Sequence, residues 1–527
     1  MRLLTFKGGI HPPYNKEYTN KVALAKAEAP KIVYIPLQQH IGAPAKPIVE
    51  KGDEVKKGQI IGQAGGFVSA NVHSSVSGKV IDIKMHEVPG GMGQCIVIEN
   101  DFKEELDESV KPHGELESLD PKEIIKIIQD AGIVGMGGAT FPTHVKLSPP
   151  PDSNIDVIIL NGAECEPYLT ADHRLMVEMP DDVVFGIRAV MRALDVHKGY
   201  IGIEVNKPDA IEAVTKAAEP YPEVEVVGLE IKYPQGAEKQ LIYACTGGRE
   251  VPSGALPAAA GAVVTNVGTA AQIAKSIKTG LPLIERITTI TGDAIKEPKN
   301  LITKVGTPIC EIIDQCGGFK EGVNVGKVIL GGPMMGNTQY TTQAASTKGT
   351  SGILCLSEEK ARIPEPTACL RCGRCTEVCP AFLQPLYISA NSLKGDFDRA
   401  EEHRALDCIE CGSCSFICPA RRPLVESIRN AKRQIQAKRR KAQAEAKAKA
   451  AKEAGEQEVQ TEETVEETAE QEEVSEEAEE ASEEEETEEG SGFMKKFGRK
   501  NKKDKKDEKI EELTDRLTRQ MAEFDNF

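Results

Sequence analysis

The 527-residue sequence contains no tryptophan, and aromatic residues make up only 4 % of it. It also lacks any run approaching the roughly 18 apolar residues that a membrane-spanning helix needs. Its first stretch, MRLLTFKGGIHPP, has no long apolar core of the kind found in signal peptides. These absences exclude membrane-spanning and exported classes and favour a soluble cytoplasmic protein. A chain of this length is expected to form several domains.

A basic excess is also missing, because the formal net charge is −17. Much of the negative charge is local: 19 glutamates lie between Gly455 and Gly490, where no lysine or arginine occurs. Residues 1–430 are mildly acidic, with a formal net charge of −8. This distribution argues against a nucleic-acid partner, which would require a basic surface.

Two common phosphate-binding fingerprints are absent as well. The glycine loop GMGGATFPTHVK, residues 135–146, has Thr140 where the dinucleotide pattern requires a third glycine. The Gly-Lys-Ser/Thr of a P-loop occurs nowhere in the chain. Taken alone, the glycine loop is equally compatible with a tight turn whose glycines supply positive φ angles.

Cysteine, in contrast, is abundant, and 14 cysteines in a cytoplasmic chain indicate metal or redox chemistry. The strongest motif is CLRCGRCTEVCP at 369–380, repeated as CIECGSCSFICP at 408–419. Each run is Cys-x2-Cys-x2-Cys-x3-Cys-Pro, the two-cluster ferredoxin pattern, in which the fourth cysteine of one run binds the other cluster. We predict two [4Fe–4S] clusters, one held by Cys369, Cys372, Cys375 and Cys418 and the other by Cys408, Cys411, Cys414 and Cys379.

Zinc is the alternative occupant of these eight cysteines. Zinc sites usually consist of separated Cys-x2-Cys pairs. They do not require three closely spaced cysteines followed by a fourth cysteine and a proline. The spacing therefore favours iron–sulfur clusters. The six remaining cysteines are scattered, and only Cys165 lies in a polar loop where a ligand is expected.

Residues 1–115 contain short β-like runs broken by glycine. The patterns Gly-Asp-x-Val-x-x-Gly-Gln and Ser-Ser-Val-Ser-Gly-x-Val resemble the biotinyl/lipoyl type of barrel-sandwich hybrid. Domains of that type usually carry a modifiable lysine on a hairpin, and its place falls at Phe67. We therefore predict an unmodified, structural version of the domain.

Residues 116–285 alternate strand-like and helical runs, which predicts a Rossmann-like domain with a mostly parallel sheet. A first helix is marked by Asp120 as N-cap, Pro121 and Glu123. Ligands bind such sheets at the carboxyl ends of the strands. The polar residues expected there, together with the glycine loop, are Asn161, Glu164 and Glu166 after one strand, Tyr233, Gly236 and Glu238 after another, and Thr265 and Asn266 after a third.

Three further regions complete the chain. Residues 286–355 form a small α/β unit with no catalytic constellation, and residues 356–430 contain the cysteine runs. Residues 431–527 form a low-complexity charged tail, expected to be a basic helix followed by a disordered glutamate-rich block. The tail is predicted to act as a tether, and the alternative is that Phe493 to Lys506 contacts an anionic membrane surface.

The clusters suggest what the glycine loop holds. Clusters pass single electrons, so a hydride donor can supply them only through a flavin, which accepts two electrons together and releases them one at a time. A flavin mononucleotide (FMN) phosphate would suit the backbone N–H groups of the loop and Lys146.

The order of motifs carries a family resemblance. Gly-x-Gly-Gly-Ala-x-Phe-Pro-Thr-x-x-Lys, Asn-x-x-Glu-x-Glu-Pro, Tyr-x-x-Gly-x-Glu and Asn-Val-x-Thr resemble the FMN- and NADH-binding motifs of the complex I flavoprotein subunit. With GGIHPP, the sandwich, GGPMMG and the cysteine runs, residues 1–430 are similar to the RnfC family of the Rnf complex. The resemblance implies a peripheral subunit, on the cytoplasmic face of the membrane, of an ion-translocating ferredoxin:NAD oxidoreductase. It also implies a β-grasp-like SLBB fold for residues 286–355.

The resemblance further implies site roles, with hydride transfer on FMN and no catalytic side chain. Gly135, Gly137, Gly138 and Lys146 would hold the flavin phosphate or its approach, with Asn161, Glu164, Tyr233, Gly236, Thr265 and Asn266 around the rest. Phe141 would stack on the nicotinamide nucleotide, and Glu166 and Glu238 would meet that nucleotide or the flavin edge. The chain departs from the complex I pattern at Met136, Thr140 and Ala237, where that subunit has Arg, Gly and Glu.

The implied partners are NADH or NAD⁺ and the other Rnf subunits, with ferredoxin reacting at one of those subunits. Two alternatives are a diaphorase subunit of a soluble NAD-linked hydrogenase or formate dehydrogenase, and a non-catalytic electron-wiring subunit. The N-terminal sandwich and the placement of the cysteine runs argue against the first, and the retained Lys146 and glycines argue against the second.

Overall fold

The computed structural model describes residues 3–150, 152–446 and 448–449. These residues fall into two compact units, of which the first ends at Arg429 and the second begins at Asn430. The described part of the second unit is helical, as the basic stretch there predicts. The glutamate-rich block and the Phe493 to Lys506 segment lie outside the described residues, so the hypotheses about them stay predictions.

The N-terminal region forms the sandwich that the sequence predicts. Two antiparallel sheets, ordered β2-β8-β7-β4 and β3-β5-β6, share one aliphatic core. Gly78 has a φ of 153°, and a Cβ there would overlap the Glu99 carbonyl oxygen, so the turn requires glycine. The region comprises a 3-10 helix (Lys16–Tyr18), β1 (Leu24–Lys26), β2 (Ile32–Pro36), β3 (Lys46–Pro47), β4 (Glu54–Val55), β5 (Ile60–Gln63), β6 (Val72–His73), β7 (Gly78–Val88), β8 (Gly91–Asn100) and a 3-10 helix (Leu116–Ser118).

The connection between β5 and β6 carries Phe67, as the pattern predicts, and it contains no lysine. The sandwich therefore has no attachment point for a swinging arm at this position. The side chain of Phe67 is half-buried, because the connection packs against the glycine loop of the next domain.

The next region is a Rossmann-like domain with a four-stranded parallel sheet in the order β11-β10-β9-β12. Because β9 comes first along the chain, the strand order reverses between β9 and β12, and ligands bind at such switch points. Its elements are α1 (Pro121–Asp130), α2 (Thr143–Lys146), β9 (Val157–Gly162), α3 (Ala171–Glu178), α4 (Pro180–Ala193), β10 (Gly199–Glu204), α5 (Pro208–Ala218), β11 (Val224–Leu229), α6 (Glu238–Cys245), a 3-10 helix (Pro257–Ala260), β12 (Ala262–Asn266) and α7 (Val267–Thr279).

Helix α1 begins at the predicted capping box. Asp120 accepts a hydrogen bond from the Glu123 amide at 2.9 Å, and the Glu123 carboxylate accepts one from the Asp120 amide at 2.8 Å. Helix α3 was not predicted, because its eight residues ADHRLMVE have little amphipathic pattern.

A six-stranded sheet forms the third region, in the order β1-β14-β13-β17-β15-β16. Its edge strand β1 comes from the N-terminal region and pairs in parallel with β14, a long-range pairing that sequence patterns did not indicate. The remaining elements are β13 (Glu285–Thr291), β14 (Lys299–Lys304), α8 (Ile309–Asp314), β15 (Val325–Leu330), β16 (Asn337–Gln339), β17 (Gly352–Ser357) and α9 (Glu358–Ala361).

The two cysteine runs adopt the same local fold. Each run has a glycine in the left-handed region, Gly373 with φ 79° and Gly412 with φ 77°, followed at once by a short helix. The elements of this region are α10 (Arg374–Glu377), α11 (Pro385–Leu393), α12 (Phe397–Glu402), a 3-10 helix (Ala405–Asp407) and α13 (Ser413–Ile417). A further helix begins at residue 424.

A buried lysine joins three of these regions. The Lys348 ammonium donates to the carbonyl oxygens of Asn71, in the sandwich, at 2.6 Å and of Gly132, after α1, at 2.7 Å. The side chain is 1 % exposed, and burial lowers its pKa to about 7. The carbonyl contacts replace the hydration that the buried nitrogen loses.

His40 gives the sandwich a pH-sensitive contact. Its Nε2 accepts a hydrogen bond from the Ala70 amide at 3.1 Å, and its Nδ1 lies 3.0 Å from the Ile41 carbonyl oxygen. This arrangement requires the neutral ring, and burial lowers the pKa of His40 to about 4. Between pH 6.5 and 4 the unfolded chain therefore binds a proton that the folded chain does not, so stability falls as the pH falls through this window.

We expect the variant His40→Gln to lose less stability than the parent over that window. The difference should approach roughly 3 kcal/mol, the equivalent of the pKa shift of this one group. The chain contains no tryptophan, so a Tyr34→Trp background reports unfolding of the sandwich by fluorescence in urea. Parallel pH profiles of the two proteins would contradict the prediction.

Candidate functional site

The glycine loop lies against the start of α7, at the carboxyl end of β12. It is closed by a hydrogen bond from the Gly135 amide to the Phe141 carbonyl oxygen at 2.8 Å. A Cβ at Gly137 would lie 2.8 Å from Asn266 Nδ2, so only glycine fits there, whereas the space around Gly138 is open. The loop thus leaves room on one side for a ligand and packs tightly on the other.

Lys146, at the end of α2, joins two further predicted loops. Its ammonium donates to Glu238 Oε1 at 2.9 Å and to the Val264 carbonyl oxygen at 3.1 Å. The two side chains are about one-third and one-fifth exposed. The carboxyl edge of the sheet therefore brings Lys146, Glu238 and the end of β12 together, as the sequence predicts.

Two threonine hydroxyls at this edge have no hydrogen-bond partner within the described part of the chain. Both Thr143 and Thr265 are buried, with 2 % and 5 % of their surfaces exposed. Burial of an unpaired hydroxyl is costly, and such groups usually mark a missing ligand or water. Polar donors of this kind fit a ligand as polar as a flavin nucleotide.

The loop after β9 forms a second contact. Asn161 Nδ2 donates to the Gly236 carbonyl oxygen at 2.7 Å, and the Gly236 amide donates to Cys165 Sγ at 3.3 Å. Burial raises the pKa of Cys165 to about 12, so the thiol stays neutral at physiological pH. Cys165 supports the loop from within.

The acidic side chains of this loop are engaged by backbone amides. The Glu164 carboxylate accepts from the amides of Asp172, at 2.8 Å, and His173, at 3.1 Å, in the first turn of α3. The Glu166 carboxylate accepts from the amides of Met334, at 3.2 Å, and Met335, at 2.8 Å. Burial raises the pKa of Glu166 to about 7.

Both the oxygen and the nitrogen of the Asn266 side-chain amide likewise have hydrogen-bond partners within the chain. Its Oδ1 accepts from the Gly268 amide at 2.8 Å and caps α7, and its Nδ2 donates to Asp172 Oδ2 at 2.7 Å. Asn266, Glu164 and Glu166 thus hold the site together. Their predicted ligand contacts stay predictions.

Sequence reasoning missed Lys16, which is buried beneath the same loop. Its ammonium donates to the carbonyl oxygens of Glu164, Glu166 and Leu169 at 2.7, 2.9 and 2.5 Å. Burial lowers its pKa. The only signal in the sequence was the position of Lys16 shortly after GGIHPP, and no local pattern could show what it contacts.

Phe67 and Arg286 also reach the glycine loop from other domains. Phe67 shares an apolar cluster with Phe141 and Val145, and its carbonyl oxygen lies 3.2 Å from His144 Nε2. The Arg286 guanidinium contacts the sulfur and the carbonyl oxygen of Met136. A guanidinium thus lies behind the loop at Met136, although the chain has no arginine at that position.

Tyr233 links the candidate flavin site to the cysteine runs. The hydroxyl of this fully buried side chain donates to the Cys411 carbonyl oxygen at 2.7 Å. Ile10, Cys165, Tyr233 and Cys411 share one apolar cluster. The loop after β11 is therefore in direct contact with the second cysteine run.

The predicted ligands of the second cluster surround one cavity. Cys379, from the first run, lines it together with Cys408, Cys411 and Cys414. In the described part of the chain, no group of three or more His, Cys, Asp or Glu side chains is arranged to bind a single metal ion. In a [4Fe–4S] cluster each thiolate binds a different iron atom, so the four sulfur atoms are held apart.

The two cysteine sets differ in exposure. In the first set Cys369 and Cys372 are exposed, Cys418 is half-buried and Cys375 is buried. In the second set Cys379, Cys411 and Cys414 are buried and Cys408 is half-buried. The second set thus faces the Rossmann-like domain and the first set reaches the surface.

Four family models match the chain. They are the RnfC barrel-sandwich hybrid domain over residues 4–103, the Nuo51 FMN-binding domain over 128–275, the SLBB domain over 287–338 and the 4Fe–4S dicluster domain over 362–453. These matches confirm the predicted domain types and the predicted cofactors, FMN and two [4Fe–4S] clusters. The domain boundaries and the individual site residues stay predictions.

Among curated relatives, the chain is 57 % identical to the RnfC protein of the Na⁺-translocating ferredoxin:NAD⁺ oxidoreductase complex of Acetobacterium woodii. The match covers 83 % of this chain and 98 % of that protein. The corresponding protein of the proton-translocating complex of Clostridium ljungdahlii is 54 % identical, over 82 % of this chain and 95 % of its own length. The counterpart in the ion-translocating oxidoreductase complex of Rhodobacter capsulatus is 42 % identical over 82 % and 83 %.

A solved structure, the NAD⁺-reducing [NiFe]-hydrogenase in the H₂-reduced state, matches with 18 % identity and a TM-score of 0.42, over 62 % of this chain and 63 % of the hydrogenase chain. Within the described residues, no helix is both long and apolar enough to cross a membrane. On the evidence of its relatives and its four domains, the chain belongs to the RnfC family of the Rnf complex, the ion-translocating ferredoxin:NAD⁺ oxidoreductase.

Proposed function

We propose that the chain is the peripheral subunit through which an Rnf complex exchanges electrons with NAD(H), at the cytoplasmic face of the membrane. Ferredoxin reacts at another subunit of that complex. The observation that carries the proposal is the contact of Tyr233 with Cys411. It joins a loop of the FMN-binding domain directly to one of the two cysteine sets. A chain that converts hydride transfer into single-electron transfer requires such closeness between its flavin site and a cluster.

The residues proposed to hold FMN surround the carboxyl ends of β9 and β12. The phosphate binds to the backbone N–H groups of Gly138 and its neighbours, on the open side of the loop. Lys146 supplies a positive charge that compensates the negative charge of the phosphate. The unpaired hydroxyl of Thr265 and the buried Asn161 loop line the same edge. Further residues proposed for FMN are Gly135, Gly137, Glu164, Tyr233, Gly236 and Asn266.

NADH is proposed to enter beside Phe141, which stacks on the nicotinamide nucleotide, with Glu166 and Glu238 near its polar groups. FMN supplies the chemistry that the protein lacks, because it takes up two electrons as hydride and releases them singly. The buried cysteine set beside Tyr233 would hold the cluster that accepts them, and the exposed set would hold the cluster that passes them to a partner subunit. Electron transfer to the buried cysteine set is shielded from solvent by the apolar cluster of Ile10, Cys165, Tyr233 and Cys411, which excludes water.

The full chain, purified anaerobically and loaded with FMN and both clusters, provides the test. NADH should bleach the flavin absorbance and then that of the clusters, and the variant Phe141→Ala should impair this reaction. If dithionite reduces the clusters but NADH does not, and no FMN binds, the chain is a wiring subunit and the proposal fails.

Replacing Lys146 with methionine should weaken FMN binding roughly 10- to 100-fold, the effect of losing one charge-assisted hydrogen bond. The measurement is FMN content after gel filtration and the dissociation constant from flavin fluorescence. Lys126→Met is the matched control, because within the described residues the ammonium of Lys126 is paired only with the exposed Asp130.

Because Lys146 also neutralises Glu238, the double variant Lys146→Met with Glu238→Gln separates two explanations. If Lys146 binds the flavin, the double variant stays defective. Recovery of FMN binding in the double variant would show that Lys146 serves only to balance the Glu238 carboxylate.

Phe67→Ala should raise the KM for NADH several-fold while FMN content and the rate at saturating NADH change little. The physical reason is that Phe67 packs with Phe141 at the proposed nucleotide position. Phe67→Tyr should retain the parent KM, and Phe102→Ala is the control on an exposed phenylalanine of the same domain. An unchanged KM in Phe67→Ala would place the nucleotide elsewhere.

A further inference from the structure

The exposed cysteine set is surrounded by arginines. Arg371 and Arg374 lie inside the first run, Arg421 and Arg422 follow Cys418, and Arg362 precedes the run. A hydrogen bond from the Thr367 amide to the Ala420 carbonyl oxygen, at 3.0 Å, holds the two segments side by side. We call these five residues the arginine face.

None of the five guanidinium groups has a hydrogen bond or an ion pair within the residues that the structure describes. Every other described arginine up to residue 430 has a partner, so unpaired arginine is confined to the arginine face. The partnered residues are Arg174, Arg188, Arg192, Arg249, Arg286, Arg399, Arg404 and Arg429.

The equivalent position of the second run shows the contrast. Arg371 has a φ of 53° and Glu410 a φ of 56°, so both occupy the left-handed region just before the second cysteine of their run. Glu410 is paired with Arg429 at 2.9 Å, whereas Arg371 is exposed and has no partner among the described residues. Local backbone geometry is thus the same in the two runs, and only the first presents a free positive charge.

Two large apolar side chains lie among these arginines. Ile363 is 73 % exposed and Leu370 is 67 % exposed. Arginine around exposed apolar side chains is typical of protein interfaces. The segments 362–376 and 420–425 contain the five arginines and one carboxylate, Glu365, and the flanking carboxylates are Glu358, Glu359, Glu377 and Glu426. The two segments are therefore positive on a chain of net charge −17.

We propose that the arginine face docks an electron-transfer protein domain with an acidic surface. This inference rests on the proposed function and names the partner of the exposed cysteine set. In each encounter one electron leaves that set and reduces the partner by one electron, with no bond made or broken, so one hydride supports two encounters. The negative charge of the rest of the chain orients an acidic partner toward this face.

The test uses the full chain with FMN and both clusters, and an acidic two-cluster ferredoxin as the probe. The probe is reduced with dithionite, because NADH is too weak a reductant to reduce a low-potential ferredoxin. Its stopped-flow oxidation by the oxidised protein should slow about tenfold at low salt in Arg371→Gln/Arg374→Gln and in Arg421→Gln/Arg422→Gln. The parent rate should fall steeply as salt rises toward roughly 0.3 M, and the variant rates should fall less. Arg399→Gln, which removes a paired arginine, is the matched control.

Three results would overturn the inference. The first is that the variants have the same rates and the same salt dependence as the parent. The second is that the variants are slower by the same factor at every salt concentration, because the cluster potential has shifted. The third is that the face binds anionic lipid vesicles while the variants leave the reaction with the probe unchanged. NADH bleaching of flavin and clusters is measured on the same samples. Loss of bleaching in the parent would refute the proposed function, whereas normal bleaching with unchanged probe oxidation in the variants would refute only the docking inference.

Discussion

The contact between the loop after β11 and the second cysteine run is the constraint on which the rest of the molecule depends. Electrons pass singly between a flavin and a cluster only if the two lie close together, so the two domains must meet at one fixed place. Tyr233 provides that place through a buried hydroxyl and an apolar ring. The N-terminal segment reinforces it, because the Gly9 amide donates to the Val378 carbonyl oxygen and the Ile10 amide to that of Tyr233.

Buried lysines keep the neighbouring loop in place. Lys16 donates to three carbonyl oxygens of the loop after β9, and Lys207 donates to a fourth, that of Ala163. A backbone loop that turns its carbonyl groups inward needs donors there, and the lysine side chains supply them without admitting water. A loop ordered in this way before a ligand arrives loses less entropy when the ligand binds.

Local signals predicted most of the architecture, and long-range contacts account for what they missed. The capping box of α1, the strand alternation and both cysteine runs follow from spacing over a few residues. The pairing of β1 with β14 joins segments more than 270 residues apart. The contact of Lys16 with Glu164 spans 148 residues and that of Arg286 with Met136 spans 150. Glu164 and Glu166 show the reverse case: the sequence located their loop correctly but could not show that their carboxylates bind backbone amides.

The two cysteine runs show how one motif acquires two environments. Both have the same spacing, the same glycine turn and the same short helix. Their difference comes entirely from neighbours: Tyr233 and the Glu410–Arg429 pair beside one set, unpaired arginines and solvent beside the other. Because cluster potentials respond to burial, hydrogen bonds and nearby charge, these surroundings can distinguish two chemically identical clusters and give electron flow between them a direction.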